Sequence, residues 1–102
     1  MSTETILLTI IVAPEIEDAL VDWLLERDDV PGFSSSRISG HGDSPKSFTV
    51  AEQVAGRRPR VMLQSCMDSA TLDSVVSGLR EAFAGSGMRY WAVPLSHFGR
   101  LD

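Results

Sequence analysis

The sequence predicts an α+β domain ordered β-α-β-β-α-β, an antiparallel four-stranded sheet with two helices on one face. Three observations predict it. The run "TILLTIIV" (Thr5–Val12) is apolar and β-branched. Two later segments repeat apolar residues at helical spacing. Further short strand-like runs follow each of those helices, and 102 residues leave room for a single domain.

Each element has a physical reason. In Thr5–Val12, Ile6, Leu8, Ile10 and Val12 fall on one face and Leu7 and Ile11 on the other, which asks for a central strand covered on both sides. In "APEIEDALVDWLLE", Ile16, Ala19, Leu20, Trp23 and Leu24 form one helical stripe. Pro14 suits the first turn, and Glu15, Glu17 and Asp18 sit where the helix dipole favours anions. "VPG" turns the chain into a second strand, "FSSSRIS" (Phe33–Ser39). "RVMLQSCM" (Arg60–Met67) is the third strand, with Val61, Leu63 and Met67 on one side and Met62 and Cys66 on the other. Asp68 or Ser69 caps the second helix, whose stripe is Leu72, Val75, Val76, Leu79 and Phe83. "AGSG" ends that helix and "MRYWAV" (Met88–Val93) is the last strand. This order is the ferredoxin-like split βαβ unit. Its helices cover one sheet face only, so the apolar residues Leu7, Ile11, Met62 or Cys66, and Trp91 or Tyr90 on the other face call for neighbouring subunits.

Charge and composition exclude several functions. The net charge is -5, and the one basic cluster, Arg57, Arg58 and Arg60, is too short to neutralise a run of phosphates, so no nucleic-acid partner is expected. The longest apolar run is far below the ~20 residues that cross a bilayer, so no membrane insertion is expected. Cys66 is the only cysteine, which rules out an intrachain disulfide and fits a reducing, cytoplasmic setting. No nucleophile, base and acid are spaced for catalysis, and His41 and His97 lie outside the strands. A small ferredoxin-like monooxygenase is therefore the lesser alternative to a non-catalytic protein.

The stretch of about 42–58 is too long and too glycine-rich for a plain turn. It reads either as a segment that orders on binding or as a hairpin extension carrying Phe48, Val50 and Val54. Arg57, Arg58 and Arg60 suit bidentate contacts to a phosphate or carboxylate, or ion pairs with Glu52 or with the acidic first helix of a neighbour.

Three stretches carry a resemblance. "SGHGDSPK" (Ser39–Lys46), "VAGRRPRVML" (Val54–Leu63) and "GSGMRYWAV" (Gly85–Val93) resemble the PII-like proteins, and "EQVAGR" is similar to a small bacterial member family without an assigned function. The resemblance implies a PII-like homotrimer with ligand clefts between subunits, an adenine nucleotide as the ligand, and a T-loop-like segment that docks on a transporter or another partner protein. Gly40 and Gly42 match the glycines at the start of that loop, and Gly85 and Gly87 match those of the B-loop. The phosphate-binding lysine of the B-loop falls on Met88, with Arg89 beside it on the opposite face, and Arg100 is the basic residue kept near the carboxyl end. Ligand binding is therefore expected at Gly40, Gly42, Gly85, Gly87, Arg89 and Arg100, and partner docking through Lys46, Phe48, Glu52, Arg57 and Arg58. The tyrosine that carries uridylylation has no counterpart in the loop. The same resemblance, with that to the CutA family, implies an alternative role in heavy-metal tolerance or efflux. In that reading His41, His97 and Cys66 from several subunits hold copper or zinc.

Overall fold

A computed structural model describes residues 4–41 and 57–102. Four antiparallel strands, β1 (Thr5–Val12), β2 (Phe33–Gly40), β3 (Arg58–Asp68) and β4 (Arg89–Pro94), form one sheet in the order β2-β3-β1-β4. Helices α1 (Glu17–Leu25) and α2 (Ser69–Ala82) pack on one face, which makes the fold ferredoxin-like, as the order of elements predicts.

Strand β1 is central, paired with β3 on one side and β4 on the other, the position that a strand apolar on both alternations suits. Leu8, Ile10 and Val12 point into the helix-covered core with Val61, Leu63 and Met67 of β3. Onto them α1 lays Leu20 and Leu24, and α2 lays Val75 and Leu79. The first helix starts with a tight 3-10 turn at Pro14–Ile16, where proline costs no hydrogen bond. Ala19, expected in the buried stripe, is exposed. It lies about 100° around the helix from Leu20, on the flank of the stripe, and its single methyl does not reach the sheet.

Asp68 caps α2, accepting a hydrogen bond from the backbone N–H of Thr71 at 2.8 Å. This bond to the ionised carboxylate holds its pKa below the ordinary value. The two helices meet closely at Gly78, where an added Cβ would stand 2.7 Å from the Trp23 ring. Trp23 packs edge-on to Phe83, and the Arg27 guanidinium lies 4.9 Å over the same indole. Arg27 also bonds both carboxylate oxygens of Asp29 and the Ser74 hydroxyl, tying the end of α1 to α2.

Among the described residues the opposite face carries no helix. Register places Ser36, Met62, Ile11 and Arg89 in one row across the sheet, and Ser34, Gln64, Thr9 and Trp91 in the next. Thr9 is buried there, and its hydroxyl accepts a hydrogen bond from the Gln64 side chain at 3.2 Å. Leu7, Ile11, Met62 and Cys66 are half-buried and Trp91 is exposed, which puts the apolar content foreseen for this face where the strand alternation requires it. Tyr90, offered as the alternative to Trp91, is opposite Ile10 and belongs to the helix side.

Candidate functional site

The open face ends in a cleft of about 450 Å³, built by four strands and one turn. Gly40 and His41 close β2, and Arg58 and Arg60 open β3 directly opposite, with Gly40 paired to Arg58 and Ile38 to Arg60. Residues two apart on a strand share a face, so both arginines point the same way. The same rule on β4 sends Arg89 and Trp91 into the cleft and Met88 to the other side. Ile11 and Ala13, from β1 and its end, form the apolar floor between them.

Among the described cleft residues glycine is required at one place, Gly87. At Gly40 an added Cβ would meet the Arg58 carbonyl oxygen at 3.4 Å, an ordinary contact, so a small side chain fits there. At Gly87 the backbone has φ +76, a left-handed conformation costly for any residue with a Cβ. This turn brings Gly87 and Ser86 to the rim, and the Ser86 hydroxyl accepts from the backbone N–H of Met88 at 3.2 Å.

The electrostatics are one-sided. Three guanidinium groups and His41 line the cleft, with no carboxylate among the described residues around it. Arg60 donates to the Pro59 carbonyl at 3.0 Å, and the Arg89 guanidinium has no ion pair or hydrogen bond among the described residues. Converging like charges in a concave surface focus a positive potential that attracts an anion and opposes a metal cation. Trp91 and the two isoleucines add an apolar wall, so the cleft suits an anion with a flat or apolar body.

A second, smaller cavity of about 210 Å³ lies behind this one, between the end of α2 and the start of β4. Val76, Leu79, Phe83 and Met88 make it apolar. Arg80 donates to the Tyr90 hydroxyl at 2.9 Å across its rim. Ser86 and Gly87 line both cavities, so one turn is the wall between them.

The site residues expected from sequence divide accordingly. Gly40, Gly87, Arg89, Arg58 and His41 come together in the cleft. Gly85 lines the second cavity instead, because its φ of +78 turns the chain on the helix side. Arg100 does not line either cavity and forms a two-pronged ion pair with Asp102, which lowers the pKa of that carboxyl. Arg57 is exposed just before β3, and Gly42, Lys46, Phe48 and Glu52 lie outside the described residues. Of the metal candidates only His41 is in the cleft. His97 is exposed beyond β4, and Cys66 lies eight residues along β3 from Arg58, about 27 Å at the strand rise. One chain therefore does not join His41 to Cys66, and no three His, Cys, Asp or Glu side chains are grouped among the described residues. Arg60, offered with Arg57 and Arg58 as an anion contact, is in the cleft, while Ser86, Ile11 and Ile38 complete it and were not among the expected ligand contacts. Only the strand register, which sequence spacing does not reveal, brings them to Arg89.

Comparison with known proteins places the molecule. The family model described as protein of unknown function (DUF3240) matches residues 2–102, and the chain belongs to that family. A solved DUF3240 family protein from Shewanella baltica OS155 is 27% identical, with 100% of both chains covered and a TM-score of 0.77. The nitrogen regulatory PII-like protein CPII of Thiomonas intermedia K12, solved with ADP, AMP and bicarbonate, is 17% identical at TM-score 0.66, over 90% of this chain and 92% of that one. The GlnK–ATP complex of B. subtilis is 14% identical at TM-score 0.68, over 94% and 85%. The chain thus has the PII-like fold. No curated protein matches it. Among the described residues no helix is long and apolar enough to cross a membrane.

Proposed function

We propose that this member of the DUF3240 family is a non-catalytic PII-like regulator. It binds a small anion in the arginine cleft and reports the bound state to a partner protein through residues 42–58. One observation carries the reading. The two ends of that segment, Gly40–His41 and Arg58, are themselves walls of the cleft. A ligand between Arg58, Arg60 and Arg89 therefore touches both ends and favours whichever arrangement of the segment keeps them in place. Its leverage equals the difference between its affinities for the two arrangements.

The chemistry of the cleft fits a phosphate or carboxylate group held by planar guanidinium donors, with a ring against Trp91. An adenine nucleotide answers that description, and the PII-like neighbours solved with ADP, AMP and bicarbonate or with ATP support it. In this reading the working unit is a homotrimer in which neighbouring copies close the open face, and the partner is a transporter or a similar client. A metal-linked role in efflux has only His41 in its favour within the cleft, against three positive charges. Calorimetry with ATP, ADP, AMP and bicarbonate is the test, with Arg89→Ala alongside. Saturable heat that Arg89→Ala weakens at least tenfold is the expected result. Absence of heat at millimolar concentrations of every one of these ligands sinks the reading, and tight copper or zinc binding lost in His41→Ala would replace it.

A further inference from the structure

Six large hydrophobic side chains are exposed among the described residues, and five of them, Tyr90, Trp91, Val93, Phe98 and Leu101, lie on β4 or just beyond it. Strand β4 is also a sheet edge, with backbone hydrogen-bonding groups open on one side. Tyr90 faces the helix side and Trp91 and Val93 the open face, so the strip wraps around the β4 edge. At about 150–250 Å² per large side chain, the exposed parts of these five together amount to on the order of 500 Å². That is more than half of the ~800 Å² that each partner contributes to a standard interface.

Phe98 is the most exposed aromatic of the group, at 67%. The apolar cavity behind the cleft, about 210 Å³ and walled by Leu79, Phe83 and Met88, is large enough to take a benzyl side chain. The chain's own Phe98 does not occupy it. The segment after β4 is pinned where the Leu95 N–H bonds the Thr5 carbonyl, at the far end of the strand. Tyr90 and Met88 lie about 17 and 24 Å back along β4 from that point, and the Phe98 Cα, three residues on, reaches at most ~11 Å.

We infer that Phe98 of one copy seats in the cavity between α2 and β4 of a second copy. The seat adjoins the Ser86–Gly87 turn, which is also a wall of the arginine cleft, so Phe98 acts as a positioning residue for that turn in its neighbour. Assembly and anion binding are coupled through this wall. The contact itself stands on the exposed strip and the cavity, while the coupling rests on the anion reading given above.

The experiment pairs two measurements on the full chain. In a Cys66→Ser background, Phe98→Cys copies are mixed with Ala84→Cys copies under mild oxidation, each also oxidised alone. Ala84 is exposed at the cavity wall. The expected result is a disulfide-linked pair of about twice the 11.1 kDa chain mass, strongly enriched in the mixture. Sedimentation of Phe98→Ser is expected to show assembly weakened at least tenfold with unchanged helix content, since the side chain buries little in its own copy. A monomeric wild type, no cross-link in the mixture, or undiminished assembly of Phe98→Ser each overturns the contact. If Phe98→Ser weakens assembly but the wild type binds none of ATP, ADP, AMP or bicarbonate, the contact stands and the anion reading falls. If a monomeric wild type binds them, the reverse holds.

Discussion

The two faces of the sheet share their strands and differ in every other respect. Toward the helices, Leu8, Ile10, Val12, Val61, Leu63 and Met67 are at most 4% exposed. On the open face the alternate residues of the same strands include Arg58, Arg60, Arg89 and a Trp91 that is 46% exposed. Burial of apolar area, at about 25 cal/mol per Å², explains the first face completely. It does not explain why three like charges converge on the second, where each repels the others and none adds to the core. The covered face is spent on folding, and the open face gathers its charges at one end.

That contrast can be broken in four ways. Leu63→Ala or Leu20→Ala removes a fully buried side chain and is expected to lower stability by about 2–5 kcal/mol, read from the urea midpoint. Gly78→Ala forces a methyl against Trp23, for a net loss of about 1–3 kcal/mol and a changed Trp23 emission, despite alanine's better helix propensity. Arg89→Ala is expected to leave stability within about 0.5 kcal/mol of wild type while anion affinity falls at least tenfold. A core-sized loss of stability there would erase the distinction between the faces. The smallest effect concerns pH. The cap bond from Thr71 lowers the folded pKa of Asp68, so its contribution is full above the ordinary value of 3.8 and disappears as pH falls through the lower folded value. Asp68→Asn should therefore melt slightly below wild type at neutral pH, and the two melting curves should converge in strong acid.

Much of the covered face was legible. Thr5–Val12 shows its alternation, Leu20 and Leu24 their helical spacing, and Asp68 its cap position, because each signal lies within one element. The cleft was only half legible. Gly40, Gly87 and Arg89 were singled out, and strand alternation correctly separated Arg89 from Met88. What no local pattern contains is the pairing of Ile11 with both Met62 and Arg89, which brings the start of β3 and the start of β4 to one end of the sheet. Arg100 lines neither cavity of the single chain. Its charge is visible in the sequence, and its ion pair with Asp102 two residues away is a matter of local chain conformation.

One feature of the sheet bears on how a signal would travel. Among the described residues strand β2 hydrogen-bonds to β3 alone and has no fully buried side chain, whereas β1 is held on both sides and carries much of the interior. The bonds of β2 can therefore open as a unit while the rest of the molecule keeps its shape, and its amides should exchange with solvent deuterium far sooner than those of β1. A force or a binding event at Gly40 would then act on a hinged flap and leave the body of the domain undisturbed.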